Sequence, residues 1–122
     1  MSRDSRVRVL IVDDESSMRF LLKGILESGG YEVVEAPNGA VALAHIVKSR
    51  PGLVVTDLMM PVMGGAELIA RLRSDPETES IPVVVVSAQR GVSSSLADGV
   101  VTKPFEPNEL LETVRVLARA GG

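Results

Sequence analysis

The sequence predicts an α/β domain, a parallel sheet with helices on both faces. Short runs of β-branched and other apolar residues alternate five times with segments of helical periodicity. The strand runs are nearly continuous in their apolar character, which is typical of strands buried on both faces. Because the chain has 122 residues and shows neither an internal repeat nor an interior linker, we predict a single domain over residues 1–122.

The first strand is predicted at residues 7–12, a β-branched run that leads directly into Asp13-Asp14-Glu15. A helix comes next, because apolar residues recur at helical spacing between positions 18 and 26. Ser16 or Ser17 is expected to cap the start of this helix, and Gly29-Gly30 is expected to end it.

The middle of the chain repeats this alternation. The patterns predict, in order, a strand at 31–36, a helix at 40–47, a strand at 53–57 and a helix at 66–73. Turn sequences separate them, including Pro37-Asn38-Gly39 and Arg50-Pro51-Gly52. The strand at 31–36 carries two glutamates, Glu32 and Glu35, and this polarity favours a position near the edge of the sheet.

The last part of the chain predicts a strand at 81–87, a strand at 99–105 and an amphipathic helix at 108–120. The first of these is the most apolar strand, and we expect it to be central in the sheet. Pro82 fits only at its start, since proline donates no hydrogen bond to a strand ladder.

Composition excludes several classes of function. The net charge of -3 and the pI near 5.1 argue against nucleic-acid binding as the main activity. The chain has no cysteine, which excludes disulfides and thiolate chemistry. Aromatic residues make up 2%, too few to stack against bases or a flavin. We expect no secretory signal, because no apolar stretch of the kind a signal peptide needs follows the charged start of the chain. We expect no membrane-spanning segment either, because no apolar run approaches about 20 residues, and therefore a cytoplasmic protein.

Four predicted strands end in residues suited to chemistry: Asp13-Asp14, Asp57, Ser87 and Lys103. In a parallel sheet these strand ends emerge on one rim, where ligands bind. Three neighbouring carboxylates repel one another, and a divalent cation removes that repulsion. Mg²⁺ suits such a site because it prefers oxygen ligands and keeps phosphate oxygens in its shell. A phosphoryl group arriving there would meet positive charge and Asp57 as a carboxylate nucleophile.

The chain resembles the response-regulator receiver domains of two-component signalling over nearly its whole length. The motifs that carry the resemblance are Val12-Asp13-Asp14, Asp57 with Met60-Pro61 and Gly65, Ser87-Ala88, and Thr102-Lys103-Pro104-Phe105. Each motif alone is common. Their occurrence in this order, each at a predicted strand end, makes the match specific.

The resemblance implies a flavodoxin-like (βα)5 three-layer sandwich with strand order 2-1-3-4-5. It also implies that Asp57 is the phosphoacceptor, and that Asp13 and Asp14 hold Mg²⁺ together with Asp57 and the backbone carbonyl of Met59. The expected phosphodonor is a sensor histidine kinase, a phosphotransfer protein or a small phosphodonor.

The same resemblance implies two further site roles: Ser87 is expected to hydrogen-bond the phosphoryl oxygen, and Lys103 to pair with it. Phosphorylation is then expected to switch the binding of a downstream protein partner, with the domain a monomer or a phosphorylation-dependent dimer. Such a domain is a signalling module, not an enzyme acting on an outside substrate.

Two features depart from the family pattern. The family usually has an aromatic residue three positions before the lysine, where this chain has Val100, so the aromatic half of the usual switch should be absent. The stretch from Ala88 to Thr102 is also about a third shorter than usual, against a normal crossover of roughly a dozen or more residues. Its serines and glycines favour loops, so we predict that the helix between the fourth and fifth strands is shortened or disordered.

Other interpretations stay open at this point. One is a degenerate receiver that binds partners without phosphorylation, favoured by Val100 and the short segment. Another is a Mg²⁺-dependent phosphohydrolase with an aspartyl nucleophile, although 122 residues leave no room for a cap domain. The sequence is compatible both with a stand-alone regulator and with the receiver of a longer protein. His45 is interpreted as an ordinary helix side chain, and Met59, Met60 and Met63 as loop packing.

Overall fold

The structure, a computed structural model, describes residues 6–88 and 97–121. Five strands and four helices are found there. In chain order they are β1 Arg8–Val12, α1 Ser16–Ser28, β2 Glu32–Ala36, α2 Gly39–Lys48, β3 Leu53–Thr56, α3 Gly65–Arg73, β4 Val83–Ser87, β5 Gly99–Thr102 and α4 Pro107–Gly121. Each element lies where the sequence patterns predict it, with ends that differ by up to three residues. Among these helices none is both long and apolar enough to cross a membrane.

The five strands form one parallel sheet in the order β2-β1-β3-β4-β5. This confirms the predicted strand order and the predicted edge position of β2. The fourth strand, which we expected to be central, is an interior strand that pairs with β3 on one side and with β5 on the other. A uniformly apolar strand indicates burial on both faces, and β3 and β4 are both buried throughout.

Helices cover the sheet on both faces and create two apolar cores. Successive residues of a strand point to opposite faces. Accordingly Val9 and Ile11 of β1 pack in one core with residues of α1 and α4, while Leu10 and Val12 pack in the other with residues of α2 and α3. The nearly continuous apolar strands are therefore explained by a three-layer sandwich, as predicted.

The start of α1 differs from the prediction. The helix begins at Ser16, and Glu15 occupies the N-cap position with extended backbone, so neither Ser16 nor Ser17 is the cap. The reason lies in the preceding turn, where the carboxylate Oδ1 of Asp13 accepts a hydrogen bond from the Glu15 amide at 2.9 Å. This turn brings Glu15 to the N-cap position, where no side chain caps the helix. The end of α1 agrees with the prediction, since Gly30 has a positive φ of 93° after the last turn.

The connection between β4 and β5 is tied to the sheet at both described ends. Ser87 is the last residue of β4, and β5 begins at Gly99. Before β5, the amide of Asp98 donates to the carbonyl of Val83 at 2.9 Å. The predicted shortened or disordered helix falls on this connection, and residues 89–96 lie outside the part of the chain that the structure describes.

Candidate functional site

Three aspartates meet at the carboxyl ends of β1 and β3. Asp13 and Asp14 come directly after β1, and Asp57 comes directly after β3, the neighbouring strand. Each offers one carboxylate oxygen, and these oxygens lie within 4.8 Å of one another. Asp13 is buried, with 2% of its surface exposed, Asp57 is half-buried, and Asp14 is exposed. The parallel sheet thus brings together residues that are distant in sequence.

Lys103 completes the charge distribution of this acidic cluster. Its Nζ lies 3.9 Å from Oδ2 of Asp13 and 3.9 Å from Oδ2 of Asp57. The lysine comes directly after β5, and its amide donates to the carbonyl of Ser87 at 2.8 Å, which joins the ends of β4 and β5. One ammonium group therefore faces two of the three carboxylates, so the cluster keeps a net negative charge.

Asp13 shows the electrostatic cost of this arrangement. Burial raises the pKa of the Asp13 carboxyl above its ordinary value, because the charged form loses hydration. The hydrogen bond from the Glu15 amide lowers this pKa, the charge of Asp57 raises it, Lys103 lowers it, and Asp14 raises it. The net direction is upward. Burial in the cluster thus disfavours the ionised form of Asp13.

The loop after Asp57 is held tightly against the end of β3. The amide of Leu58 donates to Oδ1 of Asp57 at 2.7 Å, and the carbonyl of Leu58 accepts from the Gly65 amide at 2.9 Å. Between them, Val62 has a positive φ of 69°, an uncommon conformation for a β-branched residue. The Met63 amide donates to the Pro61 carbonyl at 2.7 Å across it, so the loop makes a tight turn.

The donor set fits a hard divalent cation. Carboxylate oxygens are the ligands that Mg²⁺ prefers, and a charge of +2 offsets the repulsion that contributes to the raised pKa of Asp13. In the part of the chain that the structure describes, these three aspartates form the one group of potential ligand side chains whose oxygens lie close enough together to hold a metal ion. Asp13, Asp14 and Asp57 are therefore the side chains that would hold it.

The remaining predicted site residues lie on the same rim. Ser87 is buried at the end of β4, and Met59 lies in the loop after Asp57 with 68% of its surface exposed. The hydrogen bond of Ser87 to a phosphoryl group and the metal contact of the Met59 carbonyl stay predictions. His45 lies on α2, outside the acidic cluster. Met63 is buried in the core formed with α2 and α3 and Met60 packs against that core, as loop packing predicts, whereas the exposed side chain of Met59 does not fit this interpretation.

Sequence reasoning missed one charged pair beside the site. Arg19 of α1 contacts both Glu35 of β2 and the main-chain carbonyl of Asp13. Neither residue stands in a motif, and either would be taken for a surface charge. Their pairing depends on the neighbouring positions of α1 and β2, so no local pattern could have identified it.

Comparison with known proteins agrees with this geometry. The family model of the response regulator receiver domain matches residues 9–115. The chain is 38% identical over 120 residues to the phosphate regulon transcriptional regulatory protein PhoB of Pseudomonas aeruginosa, covering 93% of this chain and 52% of that protein. It is 39% identical over 119 residues to the response regulator MprA of a Mycobacterium species, covering 93% and 51%. The chain thus spans about half the length of these relatives.

Solved structures show the same fold. The response regulator TrrA of Thermotoga maritima, determined in complex with Mg²⁺-BeF, matches with a TM-score of 0.84 and 35% identity over 91% of this chain and 98% of that one. The chemotaxis response regulator CheY4 of Vibrio cholerae matches with a TM-score of 0.86 and 31% identity over 93% and 99%. The flavodoxin-like prediction is confirmed. On the family match, the identities and the strand-end motifs together, the chain belongs to the response-regulator receiver domains of two-component signalling.

Proposed function

We propose that Asp57 accepts a phosphoryl group in a Mg²⁺-dependent reaction. The observation that carries this proposal is the cluster itself, in which Asp57 lies with Asp13 and Asp14 within 4.8 Å and its Oδ2 is 3.9 Å from Lys103. Asp57 is half-buried at the rim, so a donor can reach it while the surrounding charges stay in place. The Mg²⁺-BeF complex of TrrA, a relative in fold and sequence, supports the choice of metal.

The chemistry requires little beyond positioning and charge. A lone pair of an Asp57 carboxylate oxygen forms the new O–P bond while the bond from phosphorus to the donor's leaving group breaks. With an acyl phosphate the carboxylate leaves with the electron pair. With a phosphohistidine the imidazole nitrogen keeps the pair and takes a proton from solvent. Mg²⁺, when bound, supplies positive charge beside the phosphoryl oxygens.

The residues of this chain contribute in different ways. Leu58 donates its amide to Oδ1 of Asp57 at 2.7 Å, which holds the carboxylate in one orientation. Lys103 supplies an ammonium group that pairs with the phosphoryl oxygens once they arrive, because electrostatic stabilisation is the main contribution of a protein to this transfer. Ser87 supplies the hydroxyl donor.

The same proposal covers partners and output. A sensor histidine kinase or a phosphotransfer protein supplies the phosphoryl group in the cytoplasm, and the phosphorylated domain changes its affinity for a downstream protein, as a monomer or as a dimer. The domain acts as a signalling module and not on an outside substrate. Val100 is 41% exposed on the edge strand β5, and its small apolar side chain carries no polar tip, so the switch works without an aromatic ring.

Incubation with acetyl phosphate and Mg²⁺ tests the proposal. Intact-mass spectrometry should show the addition of one phosphoryl group per chain in wild type, and none in the variant Asp57→Asn or in wild type with EDTA. The matched control is Asp75→Asn, the same substitution at an exposed loop aspartate, which should be phosphorylated like wild type. A wild-type mass that never increases, or an equal increase in Asp57→Asn, would refute the assignment.

A further inference from the structure

The loop that carries Asp13 and Asp14 is held from outside the acidic cluster by one arginine. Nη1 of Arg19 donates to the main-chain carbonyl of Asp13 at 2.5 Å, and Nε of the same side chain lies 3.1 Å from Oε1 of Glu35. The Arg19 side chain is 19% exposed and that of Glu35 is 38% exposed. The guanidinium of Arg19 therefore links α1 to β2 and to the loop after β1. Because the group is planar and rigid, the positions of Nε and Nη1, which make the two contacts, are fixed relative to each other.

Three hydrogen bonds define the position of Asp13. Its amide donates to the carbonyl of Ala36 at 3.1 Å, and its carboxylate Oδ1 accepts from the Glu15 amide at 2.9 Å. The third, from Arg19 to the Asp13 carbonyl, controls the direction in which the chain continues to Asp14. The carbonyl of Asp13 and the amide of Asp14 belong to one rigid peptide plane, so the orientation of that carbonyl also sets where Asp14 begins.

The location of the positive charge supports this structural role. Arg19 donates to the main-chain carbonyl of Asp13 and to the carboxylate of Glu35 on β2. Lys103 is the cation that faces the carboxylates of Asp13 and Asp57. The guanidinium thus orients the loop without taking the oxygens that a metal ion needs. The amide of Arg19 also donates to the carbonyl of Glu15 at 3.0 Å, so the arginine is itself fixed in the first turn of α1.

We infer that Arg19, oriented by Glu35, is a positioning residue for the Mg²⁺-binding pair Asp13 and Asp14. The inference rests on the Mg²⁺-dependent reaction proposed above and adds a residue through which that site is assembled. Partners that orient metal ligands typically change metal affinity by about 10- to 100-fold when they are removed. Loss of Arg19 therefore weakens Mg²⁺ binding and leaves the acceptor Asp57 in place.

The test measures Mg²⁺ affinity by titration calorimetry without a phosphodonor, in wild type and in Arg19→Gln. We expect the dissociation constant for Mg²⁺ to rise about tenfold in Arg19→Gln. The variant Arg19→Lys keeps the charge but not the fork, so its affinity should resemble that of Arg19→Gln. Glu35→Gln should give a smaller loss, and the double variant should match Arg19→Gln, because Glu35 acts through Arg19.

The matched control is Arg71→Gln on α3. Arg71 is also a helical arginine paired with a glutamate, Glu67 at 3.0 Å, but that pair is exposed. Its Mg²⁺ affinity should stay within about twofold of wild type, since exposed pairs of this kind contribute little.

A second measurement needs no metal. In Mg²⁺-free protein, the Glu15 amide, which donates to the Asp13 carboxylate, should exchange with solvent faster in Arg19→Gln than in wild type. Unfolding in urea shows whether each variant is folded at the temperature of the experiment.

The outcomes separate this inference from the proposed function. If wild type binds Mg²⁺ and Arg19→Gln binds it equally well, the positioning role is refuted while the proposed function stands. If Arg19→Lys restores wild-type affinity and Glu15 exchange, charge alone acts and positioning is refuted. If wild type neither binds Mg²⁺ nor accepts a phosphoryl group, the proposed function fails and this inference fails with it.

Discussion

At the scale of single residues, the buried polar side chains are concentrated at the rim of the sheet that carries the candidate site. Within the described chain, the buried polar residues are Asp13, Thr56 and Ser87, and they stand at the ends of β1, β3 and β4. Burial of a polar group costs free energy unless a partner compensates it. Thr56 finds one in the Asp57 carbonyl, to which its hydroxyl donates at 2.8 Å, and the Asp13 carboxylate accepts from Glu15.

The raised pKa of Asp13 predicts a pH-dependent stability in metal-free protein. Between pH 3.8 and the raised pKa, the folded state binds more protons than the unfolded state, so wild-type stability falls as pH rises through this window. Asp13→Asn removes the ionisation and keeps an oxygen that can accept from Glu15. The variant should therefore be more stable than wild type at pH 7.

Urea unfolding in EDTA at a series of pH values checks this prediction. The stability difference between Asp13→Asn and wild type should shrink as pH falls toward and below 3.8, where Asp13 becomes protonated in both folded and unfolded wild type. A difference that is constant across the series, or a variant less stable than wild type at pH 7, would contradict it.

At the scale of elements, helix α3 starts in direct contact with the strand end that carries Asp57. A Cβ placed on Gly65 would lie 2.2 Å from the Asp57 carbonyl oxygen and 3.1 Å from Cα of Leu58. These are backbone atoms, so they have no side-chain freedom with which to move away. The absence of a side chain at position 65 therefore allows α3 to begin where it holds the loop beside Asp57.

Gly65→Ala should lower the free energy of unfolding by about 2 kcal/mol, because overpacking of this kind typically costs about 1–3 kcal/mol. The control is Gly24→Ala in the interior of α1, where an added Cβ meets nothing within 4 Å. That variant should gain about 0.5–1 kcal/mol from the higher helix propensity of alanine. Urea denaturation of both variants checks the pair, and equal effects of the two substitutions would disprove the close-approach argument.

A second contact between elements joins the ends of α3, β4 and β5. Arg73 at the end of α3 donates to the carbonyl of Ile81 at 2.8 Å and pairs with Oδ2 of Asp98 at 2.7 Å. The same carboxylate oxygen accepts from the Val83 amide at 2.8 Å. Asp98, at the end of the short connection between β4 and β5, is therefore held beside the start of β4. The connection begins at Ala88, directly after Ser87.

At the scale of the whole molecule, the apolar side chains form two cores, and the acidic cluster lies at the rim of the sheet between strands that these cores hold together. A metal ion bound to the cluster is therefore expected to stabilise the entire fold. Mg²⁺ bound to carboxylates from two strands, Asp13-Asp14 after β1 and Asp57 after β3, favours the folded chain because those side chains are far apart in sequence and do not form a site when it is unfolded.

We expect Mg²⁺ at about 100 times its dissociation constant to raise the free energy of unfolding by about 2.7 kcal/mol. Urea unfolding with MgCl₂, compared with NaCl at equal ionic strength, measures this gain. The gain should be much smaller in Asp57→Asn, which lacks one ligand charge. An equal stabilisation by both salts in wild type would show that the cluster does not bind the ion.

The succession of strands and helices along the chain, the helices on both faces of a parallel sheet and the edge position of β2 could be predicted from the residues, whereas the sheet order 2-1-3-4-5 was implied by the family resemblance. Apolar periodicity and turn residues are local signals that show where each strand ends. Because the carboxyl ends of parallel strands lie on one rim, the aspartates and Lys103 at those ends could be predicted to lie close together. The capping of α1 was predicted wrongly, because the turn closed by the hydrogen bond from the Glu15 amide to Oδ1 of Asp13 brings Glu15, and neither serine, to the N-cap position.

What the sequence alone determined is therefore the alternation of elements and the chemical character of each strand end, since both are written in contiguous residues. Only the tertiary structure decided that Arg19 reaches from α1 to Glu35 and the Asp13 carbonyl, that Asp13 is the buried carboxylate of the cluster, and that α3 meets the Asp57 backbone at Gly65. These contacts join residues from different elements, and their distances exist only after the sheet and its helices have packed.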